Sequence, residues 1–182
     1  MKKIVIISLL LMAILSGCDD KDYEPYEVTV NVLGDGNVTG AGIYSYGTEC
    51  KLVAKEISDS EYRFTGWYID EKLVSREKEY IYNTSNTVNR NQDVEIKAVF
   101  SNNVFSIKLY YIQKFQKELF VEKGDELYIY ASDLKDWQPL YQFLGWEAID
   151  SQTGEAVEKS KSEGWRFTPK QNLMIFTDWD MS

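Results

Sequence analysis

The sequence predicts a mainly β protein made of two small antiparallel modules in tandem, and three observations carry that reading. Phe64-Thr65-Gly66-Trp67 returns as Phe143-Leu144-Gly145-Trp146 at a spacing of 79 residues. Further landmarks follow in the same order: Gly47-Thr48-Glu49 answers to Gly124-Asp125-Glu126 at 77, Val94-Glu95-Ile96 to Leu173-Met174-Ile175 at 79, and Phe100 to Trp179 at 79. Ordered landmarks at a near-constant offset indicate a divergent duplication. Apolar residues recur with period two, and no stretch shows the 3.6-residue spacing of an amphipathic helix of three turns.

At the N-terminus, Lys2 and Lys3 precede thirteen uncharged residues, 4–16. That run is shorter than the roughly 20 apolar residues needed to span a bilayer and fits the apolar region of a signal peptide. It ends in Leu15-Ser16-Gly17-Cys18, which resembles the lipobox of bacterial lipoproteins. The resemblance implies cleavage of residues 1–17 and lipid attached covalently to Cys18. Diacylglycerol plus an amide-linked chain exceeds the two signals needed for stable anchoring. Residues 18–26 form a polar tether containing Asp19-Asp20-Lys21-Asp22. This acidic run resembles the surface-export signal of Bacteroidota lipoproteins, which implies an outer-membrane, surface-exposed address. A solvated spacer, inner-membrane retention and a periplasm-facing protein are the alternatives.

The first module is expected over 27–101. Val28, Val30 and Val32 alternate with Thr29 and Asn31, and Gly34-Asp35-Gly36-Asn37 supplies turn chemistry. Cys50, Leu52 and Ala54 alternate with Glu49, Lys51 and Lys55, which places Cys50 on the apolar face of a strand as an inert thiol. Val94, Ile96, Ala98 and Phe100 form the closing strand. The separator Ser101-Asn102-Asn103 is too short for the modules to swing freely.

The second module is expected over 104–182 and closes on Leu173, Ile175, Thr177 and Trp179. Its period fails between Ser132 and Pro139, where the segment around Trp137 reads as one helical turn or a loop. Both parities of several strands are apolar. Ile107 and Leu109 oppose Tyr110, Leu127 and Ile129 oppose Tyr128 and Tyr130, and Ile175 opposes Met174 and Phe176. Such a second apolar face needs a cover, which the first module, the Trp137 segment or an external partner would supply.

The first module resembles the divergent B-repeat family related to the repeats of internalin B. The resemblance rests on the strand at 28–32, the Gly-rich turn at 34–42, the strand from Gly47 to Ala54, Tyr62-Arg63-Phe64-Thr65-Gly66-Trp67, and Ala98-Val99-Phe100. The second module is similar to the plainer B-repeat pattern through Gly124-Asp125-Glu126-Leu127, Tyr141-Gln142-Phe143-Leu144-Gly145-Trp146 and Trp179. It departs from that pattern in its aromatic first hairpin and in the charged stretch 155–162. The resemblance implies small β-grasp-like repeats used for spacing, display or adhesion. It supplies no catalytic residues.

Composition narrows the chemistry. Loss of residues 1–17 would leave 165 residues and take the formal charge from −9 to −11, which argues against nucleic acid as a partner. The chain contains no histidine, so the commonest general base and metal ligand are missing. No cofactor is expected beyond the lipid, and Asp178-Trp179-Asp180 lacks the ligand spacing of a calcium loop. The leading expectation is therefore a non-enzymatic surface lipoprotein for display, adhesion or protein binding, with a protein or glycan partner on Tyr110, Tyr128, Tyr130 and Phe176. Five tryptophans and thirteen tyrosines leave carbohydrate binding as the alternative, and a carboxylate-dependent hydrolase ranks below both. Phe64, Gly66, Trp67, Phe143, Gly145 and Trp146 are expected to act in packing. Phe64 and Trp67 have opposite strand parity, so both reach one face only through a bulge, which glycine permits.

Overall fold

A computed structural model describes residues 25–86, 93–134 and 142–180. The expected signal segment, Cys18, the tether through Glu24, and Trp137 lie outside the described residues. The described residues form fifteen strands. In the first half these are β1 (Tyr26–Leu33), β2 (Gly36–Thr39), β3 (Gly42–Tyr44), β4 (Glu49–Glu56), β5 (Arg63–Ile69), β6 (Lys72–Ser75), β7 (Glu79–Asn83) and β8 (Val94–Ser101). The second half has β9 (Val104–Tyr111), β10 (Lys114–Glu122), β11 (Leu127–Tyr130), β12 (Gln142–Asp150), β13 (Ala156–Ser160), β14 (Gly164–Phe167) and β15 (Leu173–Asp180). One-turn 3-10 helices cover Thr84–Asn86 and Ala131–Asp133. Among the described residues no helix is long and apolar enough to cross a membrane.

Each half pairs one five-stranded sheet with a smaller one. The large sheets run β3-β1-β8-β5-β6 and β10-β9-β15-β12-β13, and the small ones β2-β4-β7 and β11-β14. Alternation explains which face closes each core. Cys50, Leu52 and Ala54 are buried while Glu49, Lys51 and Lys55 are exposed, and Leu173, Ile175, Thr177 and Trp179 are buried in β15. The buried residues form two separate clusters, one per half. Fully buried aliphatic side chains such as Leu52, Ile96, Ile107 and Ile175 each contribute about 1.5–3 kcal/mol relative to exposure.

Two features depart from the sequence pattern. Most pairings are antiparallel, but β1 runs parallel to β8 and β9 parallel to β15 at the centre of each large sheet. Period two reports which side faces the core and is blind to the direction of the neighbouring strand. The Gly-rich stretch expected as a turn over 34–42 also contains β2, which pairs with β4 from Gly36↔Glu56 to Thr39↔Val53.

The ladders repeat as pairs. Val28↔Val94 and Phe64↔Phe100 in the first half become Ile107↔Leu173 and Phe143↔Trp179 in the second, every partner displaced by 79 residues. Leu52↔Tyr80 and Cys50↔Tyr82 become Ile129↔Trp165 and Leu127↔Phe167, with offsets of 77 on one strand and 85 on the other. The change to 85 arises in the hairpin after the Gly-Trp element, where Trp67↔Ser75 becomes Trp146↔Ser160. The charged stretch 155–162, which matched no family pattern, supplies this longer hairpin and forms β13 at the sheet edge.

Candidate binding surface

The Phe-x-Gly-Trp elements sit at matching bulges. Register shifts between Phe64 and Gly66 opposite β8, and between Phe143 and Gly145 opposite β15. One extra residue, Thr65 or Leu144, reverses the parity that follows, so phenylalanine and tryptophan both face the core. Phe64 lies 5.2 Å from Trp67 and 5.3 Å from Phe100 between ring centroids, and Phe143 lies 5.5 Å from Trp146 and 5.0 Å from Trp179. The indole Nε1 of Trp67 donates to Glu77 O at 2.9 Å, and that of Trp146 to Ser162 O at 3.0 Å. Each buried indole therefore has its polar atom satisfied. A Cβ on Gly66 would lie 2.4 Å from Leu73 Cδ1, and one on Gly145 would lie 2.5 Å from Ser160 O. Only glycine lets the neighbouring hairpin strand come so close.

The four aromatics expected on a binding face separate into two places. Tyr110 on β9 and Phe176 on β15 stack at 4.6 Å with an interplanar angle of 18°, and Phe115 meets Tyr110 edge-on at 5.7 Å. Tyr128 and Tyr130 stand on β11, on the small sheet, in T-shaped contact at 5.9 Å. The guanidinium of Arg166 lies 5.2 Å from the centre of the Tyr128 ring and pairs with Glu126 at 3.3 Å. Tyr128 is 53% exposed and Tyr130 37%.

Tyr128 and Tyr130 line a cleft of about 580 Å³, together with Leu73, Val74 and Arg166. Because Leu73 and Val74 belong to β6, this cleft opens at the junction of the two halves. The junction is built around Arg76, which drew no attention in the sequence. Its Nη1 donates to Thr65 O at 2.8 Å and its Nη2 to Glu126 O at 3.4 Å, while Asp125 Oδ2 lies 3.8 Å away. Its side chain is only 10% exposed, which strengthens these charge-assisted contacts relative to a surface ion pair. Lys117 pairs with Glu77 at 2.5 Å and Arg63 lies over the Phe120 ring at 5.9 Å. The Tyr68 hydroxyl is held above its usual pKa, chiefly by burial; Asp125 and Glu122 push it further up and Arg76 opposes them. The first half thus covers the β10 part of the outer face and leaves Tyr128 and Tyr130 open to solvent.

Cys50 is fully buried, and its Sγ–H contacts Gly40 O at 3.3 Å. Burial raises its pKa, only partly offset by a hydrogen bond with Tyr44, which keeps the thiol protonated and a weak nucleophile. Among the described residues no group of three or more Cys, Asp or Glu side chains is placed to hold a metal ion.

Paired β sheets with a bulge-locked tryptophan, repeated in both halves, place the chain in the class of β-rich repeat proteins. Residues 26–104 match the family of the divergent InlB B-repeat domain, a non-catalytic repeat type, so the first half is similar to a B-repeat. No curated protein and no solved structure matches the chain.

Proposed function

We propose that this chain is a lipid-anchored, non-enzymatic display and adhesion protein of the bacterial cell envelope, held at the outer-membrane surface through Cys18 and binding a protein partner beside β11. The second half serves as a further, more divergent B-repeat. The exposed Tyr128–Tyr130 pair at the rim of the junction cleft carries the reading, because tyrosine and arginine are the residues that protein interfaces favour at their cores. Leu73 and Val74, each 40% exposed, extend the apolar rim.

A glycan ligand is the second reading, favoured by Glu126, Asp133 and Arg166 around the same cleft, where they would meet sugar hydroxyls. Ring geometry weighs against it. Tyr110 and Phe176 turn faces toward each other, and Tyr128 offers a face to Arg166, which leaves little flat ring surface for a sugar.

Two measurements test the proposal. Cys18→Ala should move the protein from the detergent phase to the aqueous phase on phase separation; a variant still wholly in detergent would overturn the anchor. A photo-crosslinking phenylalanine analogue at Tyr128 on intact cells should give an adduct with one discrete envelope protein, lost in Arg166→Ala. Absence of that adduct alongside specific retention on a glycan array would replace the protein partner with a carbohydrate.

A further inference from the structure

The interface between the two halves has an uncovered counterpart at the far end of the molecule. Within the chain, β5 of the first half meets β10 of the second. Beside that contact lie Thr65 at the bulge and Ser75 and Arg76 at the end of β6. The repeating ladder places Leu144, Ser160 and Lys161 at the same three positions of the second half. Thr65 is wholly buried, whereas Leu144 is 42% exposed. A cleft of about 730 Å³ opens there, bordered by Leu144, Lys161, Phe176 and the half-exposed Ile112.

We propose that this surface receives a second copy of the chain, head to tail, through the incoming copy's edge strand β3. The occupant follows from the contact already present. β10 is the edge strand paired antiparallel to β9, and β3 holds the same place beside β1. On β3, Ile43 is 73% exposed, more than any other large apolar side chain among the described residues, and it complements the apolar Leu144, Ile112 and Phe176 in a cleft of otherwise mixed lining. The charges also correspond. Arg76 reaches the Asp125 carboxylate and the Glu126 carbonyl, whose counterparts at the 77-residue offset are Thr48 and Glu49, so the turn keeps an acid one position along, and in the proposed contact Glu49 is the carboxylate within reach of Lys161.

The second contact is the weaker of the two. Ser162 stands where Glu77 pairs with Lys117, and no covalent link holds the copies together. It therefore forms where chains are concentrated on a surface. The contact uses different faces of each copy, so each bound copy presents a fresh site for the next. It is independent of the Tyr128 cleft, while the surface concentration it needs rests on the anchoring proposed above.

The test uses full-length chains with two epitope tags, one carrying Ile43→Cys and the other Leu144→Cys, coexpressed and treated on isolated membranes with a short bis-maleimide. Both replaced side chains are exposed, and retained tryptophan fluorescence reports an intact fold. The expected product is a mixed-tag dimer above the background of the parent chain. Lys161→Glu in the Leu144→Cys chain should reduce it several-fold, and Glu49→Lys in the Ile43→Cys chain should restore it. A signal no higher than the parent's would overturn the proposal. So would self-linked dimers as abundant as mixed ones, or an adduct with a different protein in their place.

Discussion

The two halves share a ladder and differ at one surface, and that contrast separates what the fold requires from what the junction requires. Both have the bulge, the glycine that admits a neighbouring strand, the indole bonded to a carbonyl and the aromatic partner on the closing strand. They differ where the bulge meets the outside. The first half has Thr65 and Arg76 under β10, and the second has Leu144 and Lys161 facing solvent. Residues that satisfy internal geometry match across the duplication, while those at the bulge tip follow what covers them.

The largest expected effect tests the shared part. Trp67→Ala and Trp146→Ala should each cost about 3–5 kcal/mol, the usual penalty for deleting a buried large aromatic. Thermal or denaturant unfolding would measure this, and a large cost in only one half would break the equivalence. Next come Gly66→Ala and Gly145→Ala, each expected to cost about 1–3 kcal/mol through overpacking, with Gly145 the more severe because a backbone carbonyl stands 2.5 Å from the added carbon.

Arg76→Ala against Lys161→Ala sharpens the difference between halves. The first should cost about 1–3 kcal/mol by leaving Glu126 O and Thr65 O without their donor, and the second less than about 0.5 kcal/mol in dilute solution. Equal effects from the two would remove the junction's special status.

The smallest effect is an alkaline pH dependence of the first half. Burial raises the Cys50 pKa above its ordinary 9.0. Tyr44, Tyr68 and Tyr80 are raised above 10.0, Tyr44 chiefly by its hydrogen bond with Cys50 and the other two by burial. A group whose folded pKa is raised contributes stability that is complete below its ordinary value and lost as pH climbs through the raised one. The first half should therefore begin to lose stability above about pH 9, followed by residue-specific exchange or fluorescence of Trp67 and Trp146. Earlier alkaline loss in the second half would contradict this.

Much of this was legible beforehand because it leaves a local mark. The Phe-x-Gly-Trp elements, the alternation of β4, β8 and β15 and the bulge all follow from residue spacing. The parallel pairs did not, since β1 and β8 would show the same alternation whichever way they ran. The 85-residue offset of β14 stayed hidden because the longer hairpin at β13 is cancelled by a shorter connection before β15, which restores 79. Arg76 was unreadable as a junction residue because Arg76-Glu77-Lys78 looks like any solvated charged stretch. Tyr110 and Phe176 were grouped with Tyr128 and Tyr130 by parity, which identifies a face but not which of two sheets it belongs to.

The parallel pairs at the sheet centres have a mechanical consequence. In each half the chain enters on one central strand and leaves on its neighbour, both pointing the same way, with six residue pairs joining β1 to β8 and five joining β9 to β15. Tension along the polypeptide therefore pulls the two strands past each other along their length. All the cross-strand bonds of a pair bear the load together, whereas a hairpin pulled from its open end would surrender them one at a time. A tandem of such units resists extension until a whole ladder gives way at once, so drag on its outer end would reach its base through two shear-loaded ladders in series.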